Sequence, residues 1–206
     1  MERFDRQSHW QSVYATKAEG EVSWFEEAPE ISLALLDEAG LTPGMSVIDI
    51  GGGASRLVDA LSIDGKFDVS VLDLSAAALD VARARLPGDA NVRWFVSDVT
   101  AWTPDRAYDL WHDRAAFHFL TDPADQAAYV HVMTQALKEG GMAIIGTFAI
   151  DGPAKCSNLP VARYDANSLR TILGDQFQLV ATRTHEHVTP WSTGQRFQFS
   201  TFGKIA

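Results

Sequence analysis

Apolar and polar residues follow two different rhythms along this chain. Between residues 29 and 148, short apolar runs that end at an acid or a glycine alternate with stretches whose apolar residues recur three or four positions apart. Runs of the first kind are typical of strands buried in a sheet, and stretches of the second kind are typical of helices that pack one face against it. Beyond residue 166 the pattern predicts one helix and then two strand-like runs joined by a short link.

These rhythms predict an α/β fold. The predicted strands are residues 45–50, 67–74, 91–98, 108–112 and 142–148, followed by 177–187 and 196–204. The predicted helices are residues 29–39, 57–64, 76–86, 124–138 and 166–173. Strands that alternate with helices are joined in parallel by right-handed crossovers, whereas the last two strands, separated by a short link, form an antiparallel hairpin. We expect a single domain over residues 1–206.

Charge and composition narrow the choice of partners. The 206 residues carry 17 basic and 27 acidic side chains, which gives a net charge of −10. Such a surface repels phosphate backbones and anionic lipid, so we expect no nucleic acid and no membrane as a partner. The single cysteine, Cys156, excludes an internal disulfide and suits a reducing cytoplasm. The charged first residues predict no signal peptide, and no apolar run is long enough to span a membrane.

Glycines and acids stand at the predicted carboxyl ends of the first three strands. Residues 51–53 are three consecutive glycines, whose missing Cβ atoms let a ligand approach the backbone. Asp73 ends the second strand 20 residues after the last glycine, where a carboxylate can accept hydrogen bonds from two ribose hydroxyl groups. Asp98 ends the third strand. The alternatives are structural: a helix cap at Asp73, for which Ser75 competes, and a solvated strand end at Asp98.

Two kinds of ligand fit this layout, NAD-type dinucleotides and S-adenosylmethionine. The dinucleotide fingerprint needs a third glycine where this chain has Arg56. Asp49, two residues before the first glycine, would repel a diphosphate but can orient the cationic methionyl end of S-adenosylmethionine. The pattern Asp49-x-Gly51-x-Gly53, the acid-ended second strand and the terminal hairpin resemble the class I S-adenosylmethionine-dependent methyltransferase family over residues 29–204.

The resemblance implies a doubly wound, Rossmann-like sheet of seven strands in the order 3-2-1-4-5-7-6, with an antiparallel C-terminal hairpin. It also implies that the glycines lie under the methionyl part of the cofactor, that Asp73 holds the ribose, and that residues 98 and 99 contact the adenine. Ser55 stands where many members of the family have a third glycine. The implied cofactor-binding residues are Asp49, Gly51, Gly52, Gly53, Ser55, Asp73, Leu74, Asp98, Val99 and His112.

Residues 111–120 place charged, imidazole and aromatic groups directly after a buried strand. The predicted catalytic residues are His112, Asp113, Arg114 and His118. The two histidines are the candidate bases, because an unperturbed imidazole exchanges its proton near neutral pH. His118 has an equal alternative as a hydrogen-bonded core residue. The segment is similar to the Asp-Arg stretch of the thiopurine and tellurite-resistance branch of the family.

Two further regions contribute candidate substrate residues. The aromatic residues of segment 1–28 predict a short helix that caps the ligand site as a lid, although they can equally pin the terminus to the core. Residues 150–165 follow the fifth strand as a loop long enough to close an active site. The predicted substrate-facing residues are Trp10, Tyr14, Trp24, Phe117, Cys156 and Arg163. No metal site is expected, since His185 and His187 lack a further ligand at metal spacing.

The sequence therefore predicts a cytoplasmic S-adenosylmethionine-dependent methyltransferase. We expect in-line transfer of the methyl group to a nucleophilic acceptor, a small molecule rather than a protein lysine. Two alternatives from other classes are an NAD-dependent oxidoreductase and a non-catalytic cofactor-binding partner protein.

Overall fold

The main sheet contains seven strands among residues 4–205, the part of the chain that the computed structural model describes. In chain order the strands are β1 Ser46–Ile50, β2 Asp68–Asp73, β3 Val92–Val96, β4 Tyr108–Arg114, β5 Leu137–Phe148, β6 Lys155–Cys156, β7 Leu159–Pro160, β8 Phe177–Val188 and β9 Gly194–Lys204. The order across the sheet is β3-β2-β1-β4-β5-β9-β8. Strands β1 to β5 are parallel, and β9 pairs antiparallel with both β5 and β8. Strands β6 and β7 form a separate two-stranded sheet. When they are left out of the numbering, the seven strands of the main sheet follow the predicted order 3-2-1-4-5-7-6. The predicted Rossmann-like fold is therefore confirmed.

Helices cover both faces of the sheet. They are α1 Arg6–Thr16, α2 Glu30–Glu38, α3 Leu57–Ser62, α4 Ala76–Arg85, α5 Pro123–Ala136 and α6 Ala166–Leu173, with 3₁₀ turns at Glu19–Glu21 and Phe117–Phe119. All five residues of β1 are buried, as expected for a central strand with apolar cores on either side. Ser75 accepts a hydrogen bond from the amide of Ala78 and caps α4, so α4 begins directly beyond the end of β2.

The fourth strand extends two residues beyond its predicted end. The sequence predicts a strand only to His112. In the structure Asp113 pairs with β1 on one side and with β5 on the other, Arg114 pairs with β5, and the side chain of Asp113 is buried. Asp113 and Arg114 therefore belong to the sheet rather than to the loop that follows it.

The prediction of a helix over residues 124–138 that stops at a glycine pair is wrong at its end. Helix α5 ends at Ala136, and β5 begins at Leu137 and runs through both glycines. Gly140 has a φ of 72°, and the pairing of β5 with β4 shifts register between Tyr108 and Leu110. The glycines thus form an irregular start to the strand instead of a helix stop.

The loop predicted over residues 150–165 contains a short antiparallel ladder. Lys155 pairs with Pro160, and Cys156 pairs with Leu159. The turn between β6 and β7 is made by Ser157 and Asn158, whose φ angles are 48° and 63°. Glycine is the usual signal for such a left-handed turn, and its absence from residues 155–160 explains why the sequence does not predict the ladder.

The predicted N-terminal helix is confirmed as α1, which packs on α4. Asp5 caps it through the amide of Ser8, and the side chain of Gln11 accepts hydrogen bonds from the Ser75 hydroxyl and the Ala77 amide. Residues 1–3 of the predicted cap lie outside the described residues. Within residues 4–205, no helix has the length and apolarity needed to cross a membrane.

Candidate active site

A cavity of about 760 Å³, its open mouth included, lies over the carboxyl ends of β1 to β4. Ligands of doubly wound sheets bind at this edge. We call it the main cavity. Its lining consists of Arg6, Trp10, Tyr14, Trp24, Ile50, Gly51, Leu72, Asp73, Leu74, Ser97, Asp98, Val99, Arg114, Ala115, Ala116, Phe119, Leu120 and Cys156.

Asp73 lies in the lining of the main cavity, at the end of β2. Its Oδ2 accepts a hydrogen bond from the amide of Gly53 at 3.0 Å, and its Oδ1 accepts one from the amide of Ser75 at 2.8 Å. Burial raises the pKa of this carboxyl to about 6, because the charged form loses more hydration than these backbone bonds return. Asp73 is therefore ionised at neutral pH, with lone pairs left for donors in the cavity.

Asp98, Val99 and Leu74 line the same cavity. Both oxygens of Asp98 are engaged, one by Arg6 Nη2 at 2.8 Å and the other by the amide of Thr100 at 2.9 Å. The pair between Arg6 and Asp98 ties α1 to the end of β3. Asp98 is thus more than a solvated strand end, and its carboxylate helps to fasten the N-terminal helix beside the cavity.

The glycine turn leaves no room for side chains. A Cβ atom on Gly52 would lie 2.4 Å from Asp49 Oδ2, and one on Gly53 would lie 2.6 Å from Ala78 Cβ and 2.6 Å from Asp73 Oδ2. Gly51 has a φ of 67°, a left-handed conformation that favours glycine. The backbone of this turn is therefore packed directly between the two carboxylates of Asp49 and Asp73.

A second cavity, of about 590 Å³ with its opening, lies against the same turn. Its lining includes five residues predicted for the cofactor, namely Asp49, Gly51, Gly52, Ser55 and His112. Four residues line both cavities, and we call them the dividing wall: Tyr14, Trp24, Gly51 and Arg114.

Asp49 is held in the second cavity by a histidine. Its Oδ1 lies 2.7 Å from His112 Nδ1, and His112 Nε2 lies 3.0 Å from Ser32 Oγ. Asp49 Oδ2 is buried and has no hydrogen-bond partner among residues 4–205. Both imidazole nitrogens of His112 are therefore engaged, and neither is left to act as a base.

Arg114 is the charged member of the dividing wall. It donates to the carbonyl oxygen of Trp24 at 3.0 Å and to Glu26 Oε1 at 2.7 Å, and its guanidinium lies 5.1 Å from the centre of the Phe197 ring. Burial lowers the pKa of Arg114, and the charge of Glu26 opposes this effect. Burial raises the pKa of Glu26, but the bond from His187 and the charge of Arg114 outweigh it and hold that pKa below its ordinary value.

Aromatic rings cover the main cavity where segment 4–28 crosses it. Trp10 packs edge-on against Trp24 at 5.6 Å and against Phe119 at 4.9 Å between ring centres. Trp24 Nε1 donates to the Tyr14 hydroxyl at 3.1 Å. Cys156 lines the cavity beside these rings, and burial raises the pKa of its thiol to about 11. Four of the predicted substrate residues are therefore brought together in one place.

Asp113 and Phe117 do not reach either cavity, contrary to expectation. The Asp113 carboxylate accepts hydrogen bonds from the amides of Ala116 and Phe117 and, at 2.6 Å, from the Tyr129 hydroxyl. Burial raises the pKa of Asp113 to about 6. Phe117 is fully buried in the core against Tyr129. Both residues fasten the turn after β4, which leaves Arg114 to face the cavities.

His118 and Arg163 are also placed outside the two cavities. His118 is fully buried, its Nδ1 faces the amide of Phe148 at 3.4 Å, and burial lowers its pKa to about 3. It is therefore a neutral core residue, the alternative that the sequence left open. Arg163 is exposed and donates to the carbonyl oxygen of Gly152 at 3.2 Å.

Several lining residues carry no signal in the sequence. Glu26, Ser32 and Arg6 lie in segments whose spacing suggests no shared site, and each contacts a partner 80 or more residues away in the sequence. Phe119 could have been found, since it follows two predicted site residues. Among residues 4–205 no group of histidine, cysteine or acidic side chains could hold a metal ion.

The sequence of this chain is similar to those of known methyltransferases. A family model described as "Methyltransferase domain" matches residues 47–141. Trans-aconitate 2-methyltransferase of Methylobacterium radiotolerans is 38% identical over 98 residues, which are 48% of this chain and 31% of the relative. The chain spans about a third of the length of this relative and of two other curated relatives that it matches.

Two solved structures share the fold over almost the whole chain. One, described as "Conversion of a Disulfide Bond into a Thioacetal Group during Echinomycin Biosynthesis", has a TM-score of 0.79 at 20% identity and covers 98% of this chain and 92% of its own. The other is 1,6-didemethyltoxoflavin-N1-methyltransferase of Burkholderia thailandensis with bound 1,6-didemethyltoxoflavin and S-adenosylhomocysteine. Its TM-score is 0.74 at 21% identity, and the match covers 97% of this chain and 87% of that one.

Proposed function

We propose that this chain is a class I S-adenosylmethionine-dependent methyltransferase and that it transfers a methyl group from S-adenosylmethionine to a small nucleophilic molecule. The observation that carries the proposal is the glycine turn packed between the carboxylates of Asp49 and Asp73, with a cavity on each side. The names of the relatives support a small acceptor, since they describe enzymes of trans-aconitate and of 1,6-didemethyltoxoflavin.

The residues around the turn fit the polar groups of S-adenosylmethionine. The cofactor carries an ammonium group, and Asp49 Oδ2 is a buried carboxylate oxygen without a partner among residues 4–205. It also carries two ribose hydroxyl groups, which the ionised Asp73 would accept. Leu74 and Val99 would contact the adenine at the end of the main cavity where Asp98 lies. The glycines allow the ligand to lie directly on the backbone.

Bound S-adenosylmethionine supplies a methyl group on a sulfonium centre, which a nucleophile can take by in-line displacement. The protein then has to position the acceptor and exclude water. We infer that the dividing wall does both, because Tyr14, Trp24 and Arg114 stand where the two cavities meet. Segment 4–28 would act as a lid that Arg6 fastens to Asp98, and residues 150–165 would border the acceptor through Cys156.

The titratable side chains near the dividing wall are either engaged by other residues or protonated, which favours an acceptor that needs no protein base. Glu26 is paired with Arg114, and His112 has both nitrogens engaged. The thiol of Cys156 has a pKa raised to about 11 by burial. Arg114 Nε, in contrast, has no partner among the described residues and can donate to an anion. A thiolate or carboxylate on an aromatic or compact body therefore suits this site.

Calorimetric titration and an acceptor screen test the proposal. We expect S-adenosylhomocysteine to bind to the purified protein and NADH not to bind. Methyl transfer from radiolabelled S-adenosylmethionine would then be measured with aromatic thiols, carboxylic acids, amines and phenols, and with protein extracts. Binding of NADH without S-adenosylhomocysteine would overturn the family's chemistry for this chain. Transfer to extract proteins alone would replace the small acceptor by a protein lysine.

Cofactor affinity is expected to depend on pH through Asp73. The pKa of Asp73 is about 6 in the free protein, and hydrogen bonds from ribose hydroxyl groups favour the ionised form. Affinity for S-adenosylhomocysteine should therefore fall by up to about tenfold for each pH unit below 6. Calorimetry between pH 5 and 8 measures this, and the slope should vanish in Asp73→Asn. A wild-type affinity that is the same at pH 5 and pH 7.5 would contradict it.

The raised pKa of Asp73 has the opposite effect on the stability of the ligand-free protein, which falls as pH rises. The folded-state pKa values of Asp73 and Asp113 are about 6, above the unfolded value near 3.8. The folded protein thus binds more protons between pH 4 and 6, and its free energy of unfolding falls as pH rises through that range.

A further inference from the structure

A buried hydrogen-bond chain runs from α2 through β4 to β1, beneath the glycine turn. Ser32 Oγ lies 3.0 Å from His112 Nε2, and His112 Nδ1 lies 2.7 Å from Asp49 Oδ1. The three residues are 1%, 2% and 3% exposed in that order. Since a carboxylate only accepts, Nδ1 carries the hydrogen, and in a neutral imidazole Nε2 accepts from the serine hydroxyl.

The same three residue types form the nucleophilic triad of many hydrolases. A nucleophilic serine must be open to its substrate, and Ser32 is 1% exposed. The atom that this hydrogen-bond chain leaves open to a ligand is at its other end, Asp49 Oδ2, which has no partner among residues 4–205. The hydrogen bonds therefore fix the orientation of a carboxylate and do not activate the serine hydroxyl.

We propose that His112 and Ser32 are positioning residues that hold the Asp49 carboxylate so that Oδ2 receives the α-ammonium group of the cofactor. This inference rests on the proposed function, because it assigns a role in binding S-adenosylmethionine. Neither residue touches the reacting atoms. Ser32 fixes the imidazole, and the imidazole fixes the rotation of the carboxylate.

The packing around Asp49 explains why such a chain is needed. Oδ2 lies against Gly52, where a Cβ atom would meet it at 2.4 Å, and the side chain of Val71 lies against the same position at 2.9 Å. Without a partner at Oδ1, the Asp49 carboxylate would be free to rotate before the ligand binds at Oδ2. The bond from His112 engages Oδ1 in advance, so the site is preorganised and the ligand loses less affinity to reordering.

The test compares two ligands that differ only at the methionyl end. S-adenosylhomocysteine carries the α-ammonium group, whereas 5′-methylthioadenosine lacks the amino-acid part altogether. His112→Gln places its amide where Nε2 lies and removes the donor to Asp49. We expect it to weaken S-adenosylhomocysteine binding by at least about tenfold and to leave 5′-methylthioadenosine binding within about twofold. Calorimetric titration of each variant with both ligands gives the ratio.

His112→Asn is the matched control, because its amide lies where Nδ1 lies and can still donate to Asp49. It should keep most of the preference for S-adenosylhomocysteine, and Ser32→Ala should lose a smaller part of it than His112→Gln. An unchanged ratio in His112→Gln would overturn the inference, and so would parallel loss of both ligands. If His112→Gln does not fold, the ratio in Ser32→Ala decides. Wild-type protein that binds neither ligand would instead overturn the proposed function.

Discussion

Asp73→Ala is expected to weaken the binding of S-adenosylhomocysteine by at least tenfold and toward about a hundredfold, or roughly 2.8 kcal/mol. A hydrogen bond to a charged group contributes about 1.5–3 kcal/mol, and this carboxylate would accept two from the ribose. It also accepts from the amide of Gly53 and so helps to fix the glycine turn. Calorimetry at pH 7.5, where the carboxyl is ionised, measures the loss.

Asp80→Ala is the matched control for this substitution. Asp80 lies on α4 with a side chain that is 68% exposed and paired only with Arg83 among its described partners. Its removal takes away one aspartate that lines neither cavity, so affinity should stay within about twofold. Thermal unfolding shows whether a loss of affinity comes from a loss of folding. Burial of the charged Asp73 carboxylate costs free energy, as its raised pKa shows, and Asp73→Ala removes that part of the cost. Wild-type affinity in Asp73→Ala would remove this residue from the site.

The cofactor side of the site could be predicted because its signals are local in sequence. Residues 51–53 follow a buried strand directly, and Asp73 ends the next one, so the geometry of parallel strands alone brings them to one edge of the sheet. The structure confirms the strand order that the resemblance implies. It adds that Asp73 contacts the turn itself, which no spacing rule contains.

The acceptor side was harder to predict because burial there depends on tertiary packing. Asp113 lies in β4 and His118 lies in the turn that follows, in a segment whose residue types suggest chemistry. The hydroxyl of Tyr129, on α5, instead binds Asp113, and His118 is enclosed against Phe148 of β5. The sequence gives no measure of how far a residue in a turn points away from solvent. Alternatives that the sequence leaves even, such as a core role for His118, are decided only by these contacts.

Residues that reach the site from a distance in sequence could not be predicted. Glu26 is 88 residues from its partner Arg114, and Ser32 is 80 residues from its partner His112. An acid or a serine in an ordinary helical or loop segment has many structural uses, and only the fold shows which one applies. Asp49 is the clearest case, since its motif predicts the acid but not the histidine that lies within hydrogen-bond distance of it.

Gly52→Ala is expected to have the largest effect of any substitution considered, with S-adenosylhomocysteine affinity reduced more than about a hundredfold. Its Cβ atom would lie 2.4 Å from Asp49 Oδ2, 2.7 Å from Asp49 Cγ and 2.9 Å from Val71 Cγ1. None of these atoms can move freely, because His112 holds the carboxylate and Val71 is fully buried in β2. The backbone must therefore shift, at about 1–3 kcal/mol in unfolding free energy. Calorimetry and urea unfolding measure the two losses.

Gly88→Ala is the control for this substitution, since a Cβ atom on Gly88 meets nothing within 4 Å and its φ is not in the left-handed range. It should leave both affinity and stability unchanged. A double-mutant cycle with His112→Gln then tests the cause of the strain. If the locked carboxylate resists the new methyl group, freeing it should make Gly52→Ala less destabilising than it is in the wild-type background. Additive losses would mean that Val71 and the backbone, rather than Asp49, set the cost.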